Sequence, residues 1–405
     1  MVHPIQTFAT LKSPAGGDLT LSPRLAAAGI TGAGAGGGGG ARLRRAPWLW
    51  HLANFPRWIG SGGIGGPALE VHSKETDRTS RRQPGRHAAP AGEDYHIPVM
   101  LEEAAHFLAP GRGKLILDAT LGGGGHTQRL LEEGANVIGL DRDADALEFV
   151  RHRLSGYRES FSAIQANFRD FGELLTTVGL QTGLDGILLD LGVSSRQLEN
   201  PERGFSFQHD GPLDMRMDTS RGETAAELVN ERAPEELEKI FREYGEERAA
   251  RRIAARIVRE RERKRIVTTR QLADVVESVQ PRRGRQHPAT RVFQALRVAV
   301  NDELGALHQA LEQTHEWLRP GGRLVVITFH SLEDRIVKRF MRRACQEWID
   351  RPELPEPVRN PECHFTPVMR KALAPSQEEI GENPRARTAK MRIVERRKVN
   401  EKAAK

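Results

Sequence analysis

The chain is poor in the residues that would mark several common kinds of site. Among 405 residues there are two cysteines, Cys345 and Cys363, without C-x-x-C spacing. A disulfide framework is thereby excluded, and a reducing cytoplasm is the expected compartment. No metal is expected, because Cys363 and His364 lack two further ligands at suitable spacing. The glycines Gly122 to Gly125 admit no G-x-G-x-x-G, since the third glycine falls on another residue, so the NAD or FAD fingerprint is missing. No lysine follows as it would in a phosphate-binding P-loop, which removes the usual mark of ATP or GTP. Pro-Pro occurs nowhere. The uncharged stretch Leu25 to Ala41 is mostly glycine and alanine, too weakly apolar to span a bilayer.

Positive charge is also scarce where the high total suggests it. Residues 1–92 hold 11 Lys or Arg against 4 acids, leaving 50 against 50 in residues 93–405, so the whole net +7 belongs to the amino-terminal stretch. Nucleic-acid binding by the body must therefore rest on local clusters. The same stretch carries 17 of the 40 glycines and no sustained periodicity, and is expected to be disordered. A secretory signal is unexpected, because Arg42, Arg44 and Arg45 follow the small-residue run instead of preceding it. An organelle transit peptide, or translation from too early a start, are the other readings.

What is present is an apolar strand that breaks into glycines and opens a helix, LDATLGGGGHTQRLL (Leu117 to Leu131), followed by VIGLDRD with Asp141. Such a loop lets backbone approach a ligand and aims free amides at negative charge. Asp141 lies 19 residues beyond Gly122, near the ~20-residue offset at which an acid grips ribose hydroxyls. With NAD, FAD, ATP and GTP disfavoured, the remaining common ligand with a ribose and a small anionic end is S-adenosylmethionine. A turn and helix cap without a ligand would look similar.

From His96 the pattern becomes that of a packed domain. IPVMLEEAAHFL reads as a short amphipathic helix. LILDAT, NVIGLD, SAIQANF and LDGILLDLG read as strands, alternating with helices. The last is almost continuously apolar, as in a parallel sheet covered on both faces. Alternation stops over residues 222–300, which are rich in Glu, Arg and Ala at helical spacing. It resumes with a helix around Asp302 to Leu318, the turn RPGGR and the strand LVVITFH. Residues 350–387 are Pro-rich and expected to be irregular, and AKMRIVER is expected to return as an edge strand. The fold class is α/β, and the expected division is 1–92 extension, 93–221 and 301–405 one domain, 222–300 an inserted all-helical domain.

Four blocks go further than the glycines. DLGVSSRQLENPERGFSFQHDGPLDMRMD (Asp190 to Asp218), HPATRVFQALRVAVNDEL (His287 to Leu304), TFHSLEDRIVKRFM (Thr328 to Met341) and NPRART (Asn383 to Thr388) resemble the MraW/RsmH family of ribosomal RNA methyltransferases, in order and at compatible spacing. The resemblance covers residues 95 to about 397. It implies a Rossmann-like class I methyltransferase sheet with a helical insert. It also implies S-adenosylmethionine-dependent methylation of the 4-amino nitrogen of a decoding-centre cytidine in bacterial 16S rRNA, within the small ribosomal subunit.

Carried onto this sequence, the family's cofactor contacts fall on Gly124, Gly125, His126, Asp141, Phe168, Asp190 and Gln197. Each also has a local reading. Phe168 at a strand end offers a face for adenine, although core packing is the bland alternative. His126 could serve only the helix start. Asp190 closes an apolar strand and needs a partner. The amine of cytosine is conjugated and a poor nucleophile, so catalysis requires placement of the nitrogen, which can contribute ~7 to 11 kcal/mol, and an acceptor near its protons. Asp190, Ser194 and Ser195 are the candidates after the fourth strand, and His330 is the next. Cys345 and Cys363 fall after the sheet, which disfavours attack on ring carbon-5.

A base that leaves its stack to reach the methyl costs a few kcal/mol, and backbone contacts must offset this. Residues 242–297 carry 16 Lys or Arg against 7 acids, including RERERKR (Arg259 to Arg265) and PRRGR. Arg282, Arg283 and Arg285 are the favoured phosphate contacts, with a solvated helix face the alternative reading of Arg248 to Arg256. Oligomeric state is not fixed by the sequence, a dimer being one option. The competing functions are a non-catalytic ribosome assembly factor that keeps the cofactor pocket, and a DNA cytosine amino-methyltransferase, which the absent Pro-Pro signature disfavours.

Overall fold

The computed structural model describes residues 98–180, 183–282, 284 and 287–398, with two three-residue strands, β1 (Thr10–Lys12) and β2 (Asp18–Thr20), paired antiparallel. That pair belongs to a separate unit, Met1–Pro47. The expectations for residues 1–92 otherwise lie outside the described residues.

The main unit opens with α1 (Leu101–Leu108) and β3 (Leu115–Asp118), which runs through the glycine loop into α2 (Gly125–Glu132). There follow β4 (Asn136–Asp141), α3 (Ala144–Arg153), β5 (Phe161–Gln165), α4 (Phe171–Thr177), β6 (Leu184–Asp190) and α5 (Ser195–Glu199). Five helices interrupt the alternation: α6 (Ala225–Glu231), α7 (Pro234–Gly245), α8 (Ala250–Arg261), α9 (Thr269–Val279) and α10 (Ala289–Asn301). The chain returns through α11 (Glu303–Trp317), β7 (Leu318–Thr328) and α12 (Ser331–Cys345). It ends with β8 (Trp348–Ile349), β9 (Val358–Arg359), β10 (Phe365–Pro367), α13 (Gln377–Glu382) and β11 (Lys390–Arg396).

Seven strands form the central sheet in the order β10-β11-β7-β6-β3-β4-β5. The five from β7 to β5 are parallel, and β11 runs antiparallel to both of its neighbours. Side-chain alternation explains why the strands are apolar on both faces. Leu117, Ile187, Leu189, Leu324 and Val326 pack into one core with Leu307 and Leu311 of α11 and Phe340 of α12. Ile116, Leu188, Val325 and Ile327 point the other way, against Leu108, Leu130, Leu147 and Val150 of α1, α2 and α3. The inserted helices have a third core, built on Leu237, Phe241, Ile253, Ile257, Leu272 and Leu296 and reaching Phe205, Leu213 and Met215. The sheet grows outward from β3 through β4 to β5, then restarts on the other flank with β6. The carboxyl ends of β3 and β6 thus flank the switch point, where open α/β sheets bind ligands.

Three expectations change. β11 is not an edge strand: β10, drawn from the Pro-rich segment, pairs outside it, with Phe365 opposite Arg396. The Pro-rich segment is accordingly less irregular than its composition suggests, because neighbouring strands supply partners for its backbone. RPGGR does not precede β7 but forms a bulge within it: Leu318 pairs with Leu184, whereas Arg323 already pairs with Gly186. Gly321, at φ +88°, allows that excursion.

Candidate active site

A cavity of about 370 Å³ opens at the carboxyl ends of β3, β4, β6 and β7. Gly125, His126, Asp141, Phe168, Asp190, Ser194, Ser195 and Gln197 all line it, so residues separated by up to 72 positions in sequence converge on one space. Two expected residues do not. Gly124 does not line the cavity: its αL conformation, φ 74°, starts α2, and a Cβ there would lie 2.9 Å from Val150 Cγ1. Its glycine is required by the turn and by the close approach of α3. His330 caps α12, its Nδ1 accepting from the Glu333 amide at 3.5 Å, while its Nε2 lies 3.0 Å from Glu333 Oε1. Its ring is turned to the helix start, and its neighbours Phe329 and Glu333 line the cavity instead. Arg282 is exposed and away from the cavity, and Arg283 and Arg285 lie outside the described residues.

The glycine loop and Asp141 fix each other. Asp141 Oδ2 accepts from the Gly122 amide at 2.8 Å, and Oδ1 from the Asp143 amide at 2.9 Å. Each oxygen retains a lone pair for a further donor. Gly125 meets the Pro98 ring so closely that a Cβ would collide with it, which brings Pro98 and Val99 over the cavity. His126 Nε2 donates to the Val99 carbonyl at 3.1 Å, because a carbonyl can only accept. This aims Nδ1 at Asp190, 3.6 Å from Oδ2.

Asp190 is the most exacting group in the site. Its amide donates to Thr120 Oγ1 at 2.6 Å, which anchors the end of β6 on the loop after β3. The side chain opens to the cavity, yet Oδ1 is buried without a hydrogen-bond partner. Burial first, then the charges of Asp118 and Glu333, push its pKa well above the usual carboxylate range. Asp141 is pushed up to about 6 by burial, against the lowering effect of backbone hydrogen bonds from Asp143, Gly122 and Arg142. Asp118, behind the loop, is also pushed up to about 6 by burial, although Thr127 Oγ1 donates to it at 2.7 Å. Three carboxyls at adjacent strand ends thus lack compensating positive charge.

Several residues that the sequence did not single out build the walls. Asp143 Oδ2 accepts from Gln197 Nε2 at 3.0 Å and from Arg203 at 2.6 Å, while Arg203 also donates to the carbonyls of Arg216 and Met217. Gln197 and Ser194 form a capping box at α5, which occupies the Ser194 hydroxyl. Ser195 Oγ is held by Arg385, whose other nitrogen donates to Glu199 at 3.0 Å. On the opposite side, Arg297 of α10 makes a two-pronged pair with Glu303 of α11, at 2.8 and 2.9 Å. Buried Glu333 accepts from the amides of Phe329 at 2.8 Å and His330 at 3.2 Å. Burial opposes its ionisation, but His330, Arg297 and the Phe329 amide prevail and keep its pKa low. Local signals existed for two of these: Asp143 stands where a helix N-cap belongs, and Glu333 lies three residues after a cap. Arg297 and Glu303 had only their place in the block His287 to Leu304, because the break at Asp302 (φ 47°) turns one helix against the next and so decides their pairing.

The cavity's demands match one kind of ligand. Carboxyls raised by burial favour a cation and disfavour a pyrophosphate, while apolar Leu140, Ala166 and Phe168 offer a flat wall beside Asp141. S-adenosylmethionine, with a sulfonium, an ammonium, a ribose and an adenine, fits these residues. Sheet order and site together define a Rossmann-like S-adenosylmethionine-dependent methyltransferase. Residues 93–397 match the MraW methylase family, and the chain belongs to it. It is 47% identical over 304 residues to the ribosomal RNA small subunit methyltransferase H of Carboxydothermus hydrogenoformans, covering 74% of this chain and 97% of that protein. It is 50% identical over 307 residues to the protein of the same name from Syntrophotalea carbinolica, covering 74% and 98%. Among solved structures, an rRNA methylase from Streptococcus thermophilus aligns over 75% of this chain and 99% of its own, at 12% identity and a TM-score of 0.35.

Proposed function

We propose that this chain methylates the exocyclic 4-amino nitrogen of a cytidine in the decoding centre of 16S rRNA, acting on the small ribosomal subunit in the cytoplasm. The observation that carries the chemistry is the unpartnered Oδ1 of Asp190 at the mouth of the switch-point crevice. The bound donor supplies a methyl group already activated on a positively charged sulfur. The chain's tasks are to hold the amine in line, to accept its proton and to exclude water.

Asp190 is the acceptor in this reading. As the amine becomes tetrahedral, positive charge develops on nitrogen, and a fixed carboxylate beside it lowers the barrier. Positive charge in the cavity also favours the ionised form of Asp190, so the group that is reluctant to ionise alone is ready when the site is loaded. Ser194 and Ser195 are weaker candidates, since a backbone amide and Arg385 already engage their hydroxyls. His126, held by the Val99 carbonyl, stands with Nδ1 3.6 Å from the other oxygen. Gly125, Asp141, Phe168 and Gln197 hold the donor, Gln197 indirectly through Asp143. Phe329, Met217 and Val193 line the same cavity and offer the base an apolar seat. His330 acts through Glu333 on the loop that carries Phe329.

The test is to incubate small subunits from a strain lacking the enzyme with labelled donor, then map the modified nucleoside by mass. Methyl on the 4-amino nitrogen of one cytidine is the expected result. Label on carbon-5, label on duplex DNA or no transfer would each overturn the reading, the last leaving a scaffold.

A further inference from the structure

Arg142, Arg297 and Arg385 line the cavity. Arg385 is exposed and spends its two terminal nitrogens on Ser195 and Glu199. Arg142 gives Nη1 to the Asn301 carbonyl, and its Nε is sealed off without a partner. Arg297 is held differently. Its side chain is only 15% exposed, and Glu303, 10% exposed, accepts from Nε at 2.8 Å and from Nη2 at 2.9 Å. An arginine carries five N–H donors in one plane, and this side-on clamp uses two. Nη1 makes no hydrogen bond among the described residues, yet it is not shut off from solvent. Clamped along its Nε side, the guanidinium therefore keeps a second fork at its end, one proton from Nη1 and one from Nη2 lying parallel.

What fits that fork has two neighbouring acceptors. Glu303 already neutralises the guanidinium, and the charge of Glu333 also acts on it. A phosphate or carboxylate at the fork would meet both of those acids, whereas a neutral ring with two adjacent lone pairs meets no such repulsion. Cytosine has that pair in N3 and O2, next to its 4-amino group. Uracil puts an N–H in place of the N3 lone pair and would set donor against donor. Adenine has an amine beside one ring acceptor, but a C–H where O2 would stand. The charge of Glu333 acts on Asp190 as well as on Arg297, so the acceptor for the amine and the fork lie within reach of one carboxylate in the same cavity.

We infer that Arg297 reads the target base: held side-on by Glu303, it donates to N3 and O2 of the cytosine whose amine faces Asp190. The inference rests on the proposed reaction and names the residue that selects the base within it. Reading the Watson–Crick edge requires that edge to be free of its partner, which suits a nucleotide turned out of its stack. Glu303 then has a task beyond stability, since it fixes the plane in which the fork lies.

The probe is a small subunit assembled on 16S rRNA with 3-deazacytidine, in which a C–H replaces N3, at the nucleotide found by mass mapping. Losing the ring nitrogen leaves the amine richer in electrons, so it does not by itself slow the attack. With wild-type enzyme, single-turnover transfer to this target should fall about 10- to 100-fold below cytidine, the effect of one lost hydrogen bond to a charged donor. Because R297Q alone would strand a buried acid, the variant is R297Q/E303Q, which removes both charges. It should be slow on cytidine and lose little more on 3-deazacytidine, since the contact is already gone. Its donor affinity, measured by calorimetry, should stay as in the wild type, which also reports an intact cavity. Equal wild-type rates on the two targets, or a second fall of the same size in the double variant, would overturn the reading of N3 by Arg297. A loss of donor affinity of about tenfold or more would give the fork to the donor's carboxylate and overturn it as well. Failure of wild-type enzyme to methylate the 4-amino nitrogen in unmodified subunits would sink the proposed reaction and this inference with it, whereas transfer indifferent to N3 sinks the inference alone.

Discussion

Asp190 and the two carboxyls beside it concentrate the chemistry in side chains that the fold holds at a disadvantage. Replacing Asp190 by Asn should lower methyl transfer by about 10²-fold or more, while donor affinity changes less, as single-turnover rates and calorimetry would show. Asp118 and Asp141 have pKa values near 6, raised first by burial from 3.8. A carboxyl with a higher pKa folded than unfolded costs no stability below the unfolded value. The cost grows as pH rises between the two values and is complete above the folded one. At about 1.4 kcal/mol per pH unit, it is on the order of 3 kcal/mol for each group. Asp118→Asn should therefore raise the melting temperature of the ligand-free protein near neutral pH and leave it nearly unchanged near pH 4. Affinity for the cationic donor should rise between about pH 5 and 7, and Asp141→Asn should flatten that rise. Asp141 and Asp190 were legible because each ends an apolar strand. Asp118 ends one too, but its partnership with Thr127 and its proximity to the other acids exist only after the sheet has assembled.

The segment from Asp190 to Asp218 works as a wall because a few polar contacts replace a regular element. Its anchor is the buried Asp143, Gln197 and Arg203 group. Arg203→Ala should cost about 3–5 kcal/mol, since it leaves a buried carboxylate uncompensated. Ser194→Ala, which removes only the cap of α5, should cost about 1 kcal/mol. Denaturant unfolding of the two variants would separate those magnitudes. Most helices and parallel strands could be read from periodicity, because burial on one face or on both writes directly into the sequence. β10 could not: Phe365–Pro367 is too short for a pattern, and β11 supplies its pairing. The bulge at Gly321 escaped for the same reason, since register belongs to the partner strand as much as to the strand itself.

Across the whole molecule, the cavity draws on residues from Pro98 to Thr388, nearly the full span that matches the family. Deleting residues 1–92 should leave donor affinity and methyl transfer to small subunits unchanged, and a tenfold loss of either would give that stretch a role in the site. The helices between β6 and β7 were visible as a change of period, but their contribution of Arg297 was not, because a sequence does not state which way a helical body faces. The position of β11 has a consequence for synthesis. β11 is an interior strand of the sheet, so β7 keeps a bare flank until residue 390 or beyond has been translated. A nascent chain that stops short of that point therefore presents a sticky apolar edge open to neighbouring chains, with the flank of its sheet still unsealed.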